Sequence, residues 1–122
     1  MAVSGQFSAF LLDTLGAVRA VTARRMFGGV GFYAEGLFFA IADDDLLYFR
    51  ADDASRGFFE REGLQPFCPM GPGTKSMSYY SVPARLYDDP EELALWMRRA
   101  LEAARTAARA RGTRRRGRAA RD

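Results

Sequence analysis

Gly28-Gly29-Val30-Gly31 is the segment whose residue types could hold a phosphate, because closely spaced glycines let backbone N–H groups turn toward an anion. The pattern lacks the spacing of a dinucleotide fingerprint, and no Gly-Lys-Ser/Thr follows it. Nor does it lead into a helix whose N-terminus could face the anion. We read it as a strand that bulges or is approached closely by a neighbouring backbone. Asp43-Asp44-Asp45 invites a metal, but three consecutive carboxylates cannot all face one point and the calcium-loop spacing is absent. A solvated turn fits better, and Asp52 and Asp53 fit helix capping.

The remaining chemistry is sparse. The chain has 122 residues, no histidine and a single cysteine, Cys68. Cys/His zinc sites, nucleophile–His pairs and intrachain disulfides are thereby excluded. Cys68, beside Pro69, reads as a small apolar residue. Lys75 is the lone lysine and lies in a Gly/Pro loop, a setting for a solvated amine rather than an activated one. We expect no catalytic residue, no cofactor and no metal.

Charge divides the chain. Residues 1–104 carry ten Lys/Arg and fourteen Asp/Glu, a net charge of −4. Residues 105–122 carry eight Arg and one Asp, a net charge of +7. The overall +3 belongs to the tail, and the body is mildly acidic. Sheet aromatics such as Phe32, Tyr33, Phe38, Phe39, Tyr48 and Phe49 could stack nucleic-acid bases. The first two strands interleave no cation beyond Arg25, so we assign most of these rings to the core.

The elements that must position these residues follow from periodicity. Phe7, Phe10, Leu11, Leu15 and Val18 share one helical face, which predicts a helix over 6–20 that Gly16 weakens. A strand follows over 25–34, and Glu35-Gly36 turns it into a hairpin. Leu37–Ala42 is apolar on both faces and belongs inside a sheet. Leu46–Arg50 is the third strand. Asp52 or Asp53 starts a short helix ending at Gly63, with Phe58 and Phe59 on its buried side.

Gln65–Cys68 reads as a short edge strand, Pro69–Lys75 as a loop, and Met77–Val82 as a strand closed by Pro83. Asp89 then caps a helix with Pro90 in its first position, and its apolar stripe is Leu93, Trp96, Met97, Ala100, Leu101 and Ala104. The order α-β-β-β-α-β-β-α implies an α+β domain over residues 1–104, an antiparallel sheet of about five strands with flanking helices. The terminal helix is expected to reach about residue 110. The arginine-rich stretch 105–122 has no apolar stripe beyond that point and is expected to be disordered. No run is long and apolar enough to cross a membrane, and the N-terminus lacks a signal peptide, so a cytoplasmic protein is expected.

Four blocks together resemble the TfoX (Sxy) N-terminal domain family. They are Arg24-Arg25-Met26-Phe27-Gly28-Gly29-Val30-Gly31-Phe32-Tyr33, Leu47-Tyr48-Phe49-Arg50, Met77-Ser78-Tyr79-Tyr80-Ser81-Val82-Pro83 and Asp88-Asp89-Pro90-Glu91-Glu92-Leu93. The resemblance spans about residues 6–104. It implies an α+β, secretion-chaperone-like arrangement and kinship with bacterial regulators of natural competence. Full-length regulators of that kind carry a second, helical domain, which is not expected in the arginine-rich stretch after Ala104. The family supplies no catalytic residues to carry over.

Three functions are therefore weighed. The first is a regulatory or adaptor module with a protein partner, for which Arg24, Arg25, Tyr79 and Tyr80 are the candidate surface. One of the two arginines is expected to point to solvent and the other toward the sheet, with a structural ion pair the favoured role; one of the adjacent tyrosines is expected to be exposed. The second is weak, sequence-independent binding of DNA or RNA by Arg105, Arg109, Arg111, Arg114, Arg115, Arg116, Arg118 and Arg121. The third, an enzyme or small-molecule binder, would have to move protons with Asp, Glu, Lys or Tyr.

Overall fold

A computed structural model describes residues 3–26, 28–70 and 78–121, with the backbone alone for 113–121. The elements are α1 (Gly5–Gly16), β1 (Thr22–Met26), β2 (Gly29–Ala34), β3 (Leu37–Asp43), β4 (Leu46–Arg50), α2 (Arg56–Arg61), β5 (Tyr79–Ser81), a 3-10 turn (Ala84–Asp88) and α3 (Pro90–Arg121). The strands form one antiparallel sheet in the order β1-β2-β3-β4-β5, so the expected α+β class and five-stranded sheet are present.

Two strands differ from the sequence reading. The single strand expected over 25–34 is a hairpin, because Gly28 takes φ +80° and reverses the chain. Met26 then pairs with Gly29 and Arg25 with Val30. Gly29 must be glycine for space: a Cβ there would lie 2.3 Å from the carbonyl oxygen of Ala42 on β3. The expected strand Gln65–Cys68 is reduced to one bridge between Pro66 and Tyr80, flanked by bonds from Phe67 N–H to Tyr79 O (2.8 Å) and Ser81 N–H to Gln65 O (2.9 Å). Pro66 has no N–H to extend the ladder. Part of the expected loop, and Met77, lie outside the described residues.

The helices differ at their ends. α1 starts at Gly5, with the Ser4 hydroxyl accepting from Phe7 N–H (3.1 Å), and stops at Gly16. α2 itself is assigned from Arg56, but Asp52 caps the turn that leads into it: its carboxylate accepts from Ser55 N–H (2.9 Å), the Ser55 hydroxyl accepts from Asp52 N–H (3.0 Å), and its carbonyl accepts from Arg56 N–H (2.9 Å). Gly63 ends this segment at φ +67°. Asp89 caps α3 as expected, accepting from Glu92 N–H (3.1 Å). α3 then runs to Arg121 rather than ending near 110, because Ala and Arg are strong helix formers and no proline interrupts them.

The core lies on both faces of β3, the central strand. On one face α1 and α3 cover Val30, Phe32, Phe39, Leu47 and Phe49, and every member of the predicted α3 stripe is buried against them. Phe39 has no partner on β2, since the register shifts there, and this bulge places both Phe39 and Ala40 in the same core. Phe59 sits where three elements meet, 5.0 Å from Trp96 edge to face and 5.3 Å from Tyr80 in a stack. On the opposite face Ile41, Tyr48, Phe67 and Tyr79 form a second cluster, with Phe38 against it.

Candidate functional site

β1 is the edge of the sheet and the strand that folding covers least. Thr22, Ala23, Arg24 and Arg25 are all exposed, and Met26 is half-buried. The strand pairs with β2 on one side, and among the described residues its other side makes no backbone hydrogen bond. Pleating sends neighbouring side chains to opposite faces. Arg24, opposite Gly31, shares a face with Tyr33, whose ring centre lies 6.0 Å from its guanidinium. Arg25, opposite Val30, faces α1.

Between α1 and this hairpin runs a groove of about 300 Å³, lined among others by Ala9, Leu12, Ala23, Arg24, Arg25 and Gly29. Leu12, on its helical wall, remains 37% exposed. The ion pair expected for Arg24 or Arg25 is not made among the described residues. The reason is positional: their cross-strand partners are Gly31 and Val30, while the carboxylates concentrate in turns and at the start of α3.

The other candidate residues fall elsewhere. Tyr79 is buried, and Arg50 donates from Nη1 to its hydroxyl (3.1 Å) with the guanidinium 5.4 Å from the ring centre. Burial pushes the Tyr79 hydroxyl above its ordinary pKa, against the opposing pull of Arg50. Tyr80 is half-buried beneath Phe59. Neither tyrosine of the pair is the exposed one expected, because both sheet faces are covered at β5. Of the four candidate surface residues, Arg24 and Arg25 are exposed, Tyr79 is buried and Tyr80 is half-buried.

The arginine series is also divided. Arg105 is held by the body, donating to Glu35 at the β2–β3 turn (3.2 Å) and to Glu102 (3.2 Å). Arg109 lies 3.9 Å from Glu102. Arg111 is exposed. Arg114, Arg115, Arg116, Arg118 and Arg121 follow on the backbone of α3, and their side chains lie outside the described residues.

Among the described residues no three His, Cys, Asp or Glu side chains converge as metal ligands. Asp44 and Asp45 form a turn at φ +52° and +56°, and Asp45 accepts from Ser4 N–H (2.9 Å). No helix among the described residues is long and apolar enough to cross a membrane. The sequence reading missed the groove, because it merged β1 with β2. The signal that would have found it is Phe27-Gly28, two residues between apolar or β-favouring runs, the length of a tight hairpin turn.

The molecule is therefore an α+β domain whose five-stranded antiparallel sheet ends in an open, basic edge strand. It belongs to the TfoX N-terminal domain family, whose model matches residues 13–104. No curated protein matches the chain significantly.

Proposed function

We propose that the protein is a non-catalytic regulatory or adaptor module, related to competence and transcription regulators, that acts in the cytoplasm by contact with another protein. The observation that carries this reading is the β1 edge. An exposed strand with open hydrogen-bonding groups is a template for another chain, and proteins usually cover or shorten such edges. Here it stays open beside two arginines without carboxylate partners among the described residues and beside a groove. Family membership and the absence of histidine from the sequence support the same reading. The test is capture from the native host's lysate with the full chain and with Arg24→Glu/Arg25→Glu. A discrete set of proteins lost in the double variant is expected. Identical protein sets on both baits would count against the proposal.

A second reading has its own support. α3 carries eight arginines between 105 and 121, and stays helical to Arg121. Those beyond Arg109 would contact nucleic-acid phosphates without base specificity. The full chain should then bind duplex DNA at low salt, with log affinity falling linearly against log salt. Replacing Arg114, Arg115, Arg116 and Arg118 by Gln should flatten that slope by up to roughly 3.6 units. An unchanged slope would remove this reading.

A further inference from the structure

We propose that β1 accepts an acidic, extended peptide as a sixth strand of the sheet, with one apolar side chain of that peptide lodged in the groove against α1. This inference rests on the protein-contact reading and names the chemistry of the partner.

The backbone sets the first requirement. An open strand edge presents N–H donors and C=O acceptors in alternation. A peptide satisfies both. A phosphate chain offers acceptors only and would leave the carbonyls of β1 facing anionic oxygens. Strand addition of this type takes affinity from main-chain bonds and specificity from pockets for alternate side chains.

Side chains set the second. Arg24 and Arg25 project to opposite faces of β1, so a strand paired alongside would meet one guanidinium on each face. A second copy of this chain is a poor occupant. Antiparallel pairing centred on the middle of β1 sets Arg24 or Arg25 of one copy directly opposite an arginine of the other, which is destabilising. Consecutive acids in the incoming strand turn both repulsions into attractions.

The groove sets the third. Ala23 lies two residues before Arg25 and so on the same, α1-facing side, with Ala9 and Leu12 across from it. A residue paired beside Ala23 therefore points toward the groove wall that carries Ala9 and Leu12, and its two neighbours toward Arg25 meet Arg24 and then Arg25. The core that fits is one apolar residue followed in space by two acids.

The experiment uses the full chain, labelled with nitrogen-15, and three capped nine-residue peptides of alternating Thr and Val. For antiparallel addition, as at every other strand of the sheet, one has a central Glu-Glu-Val core read from N to C, the second Lys-Lys-Val, and the third repeats the first with its edge-facing amides N-methylated. The acidic peptide should shift and protect the amides of Thr22–Met26, and bind at least about tenfold more tightly than the lysine peptide. N-methylation should abolish the protection. Arg24→Glu/Arg25→Glu should reverse the preference between the Glu and Lys peptides, a gain that simple unfolding could not produce. Ala9→Phe, at an exposed helix position that fills the groove, should weaken the acidic peptide while leaving the circular dichroism spectrum unchanged.

Equal affinity for the two peptides, or shifts not centred on β1, would overturn the proposal. So would concentration-dependent dimerisation that protects β1 without peptide, or stronger binding of a single-stranded DNA oligomer at the same amides. Should the peptides fail while Arg24→Glu/Arg25→Glu still loses its captured proteins, strand addition falls and the protein-contact reading stands. Should both fail, both fall.

Discussion

Arg85 and Glu92 are joined by two hydrogen bonds across the start of α3, Nε to Oε1 at 2.9 Å and Nη2 to Oε2 at 2.8 Å. The same guanidinium grips Glu62, beyond α2, with bonds of 2.7 and 2.8 Å. Glu92 also accepts from the indole N–H of Trp96 (3.2 Å), so the bridge connects the α2 end, the 3-10 turn and the aromatic core. Bonding to Arg85 lowers the pKa of both Glu62 and Glu92 below 4.5.

Those depressed values set a pH dependence. A carboxylate whose folded pKa lies below its unfolded value adds stability that is complete above the unfolded value and is lost as pH falls through the folded one. Melting temperature should therefore drop as pH falls below about 4.5. Arg85→Gln should lower the melting temperature at neutral pH and flatten that acid limb. Parallel acid limbs in the two proteins would show that the network does not carry the dependence.

Phe59 offers the largest single packing effect. It is fully buried, with Trp96 on one side of its ring and Tyr80 on another. Phe59→Ala leaves a cavity where three elements meet and should destabilise by about 3–5 kcal/mol. Denaturant titration with an unchanged slope would measure it. A loss below about 1 kcal/mol would mean that the site collapses around the gap.

Gly29 and Gly31 should differ when each is changed to Ala. The added carbon at Gly29 meets the backbone oxygen of Ala42 at 2.3 Å, and only a shift between β2 and β3 relieves it. At Gly31 the nearest atoms are the end of the Met26 side chain, at 2.6 and 2.9 Å, and the Phe38 ring at 2.9 Å. Methionine is flexible and can move. We expect Gly29→Ala to cost about 2–3 kcal/mol and Gly31→Ala about 1 kcal/mol. The reverse order, by thermal or chemical melting, would contradict this geometry.

Glu35 sets two small effects against each other. It holds φ +53° in the β2–β3 turn, followed by Gly36 at φ +74°, a pair of values that favours Asn-Gly. Its carboxylate also accepts from Arg19 and Arg105. These ion pairs are solvent-exposed, worth about 0–1 kcal/mol each, and screened by salt. Glu35→Asn should change stability by no more than about 1 kcal/mol at low salt. Added salt should then move the balance toward the variant. A stability difference independent of ionic strength would show that the ion pairs contribute nothing.

Much of the fold was legible in the sequence because the signals are local. The α3 stripe from Leu93 to Ala104, the Asp89-Pro90 start, the Glu35-Gly36 turn and the doubly apolar β3 each depend on neighbours within a few residues. The α+β class follows from their order. The four family blocks are local in the same sense, and their match over residues 13–104 agrees with them.

What only the tertiary structure decided concerns which surfaces remain uncovered. Arg24 and Arg25 were legible as candidates, yet that neither meets a carboxylate among the described residues depends on Gly31 and Val30 being their cross-strand neighbours. Tyr79 and Tyr80 looked equivalent, but Arg50 and Phe38 enclose the first while Phe59 covers the second. Sequence periodicity reports which way a side chain points along its own strand. It does not report what another element, distant in sequence, brings to lie over it.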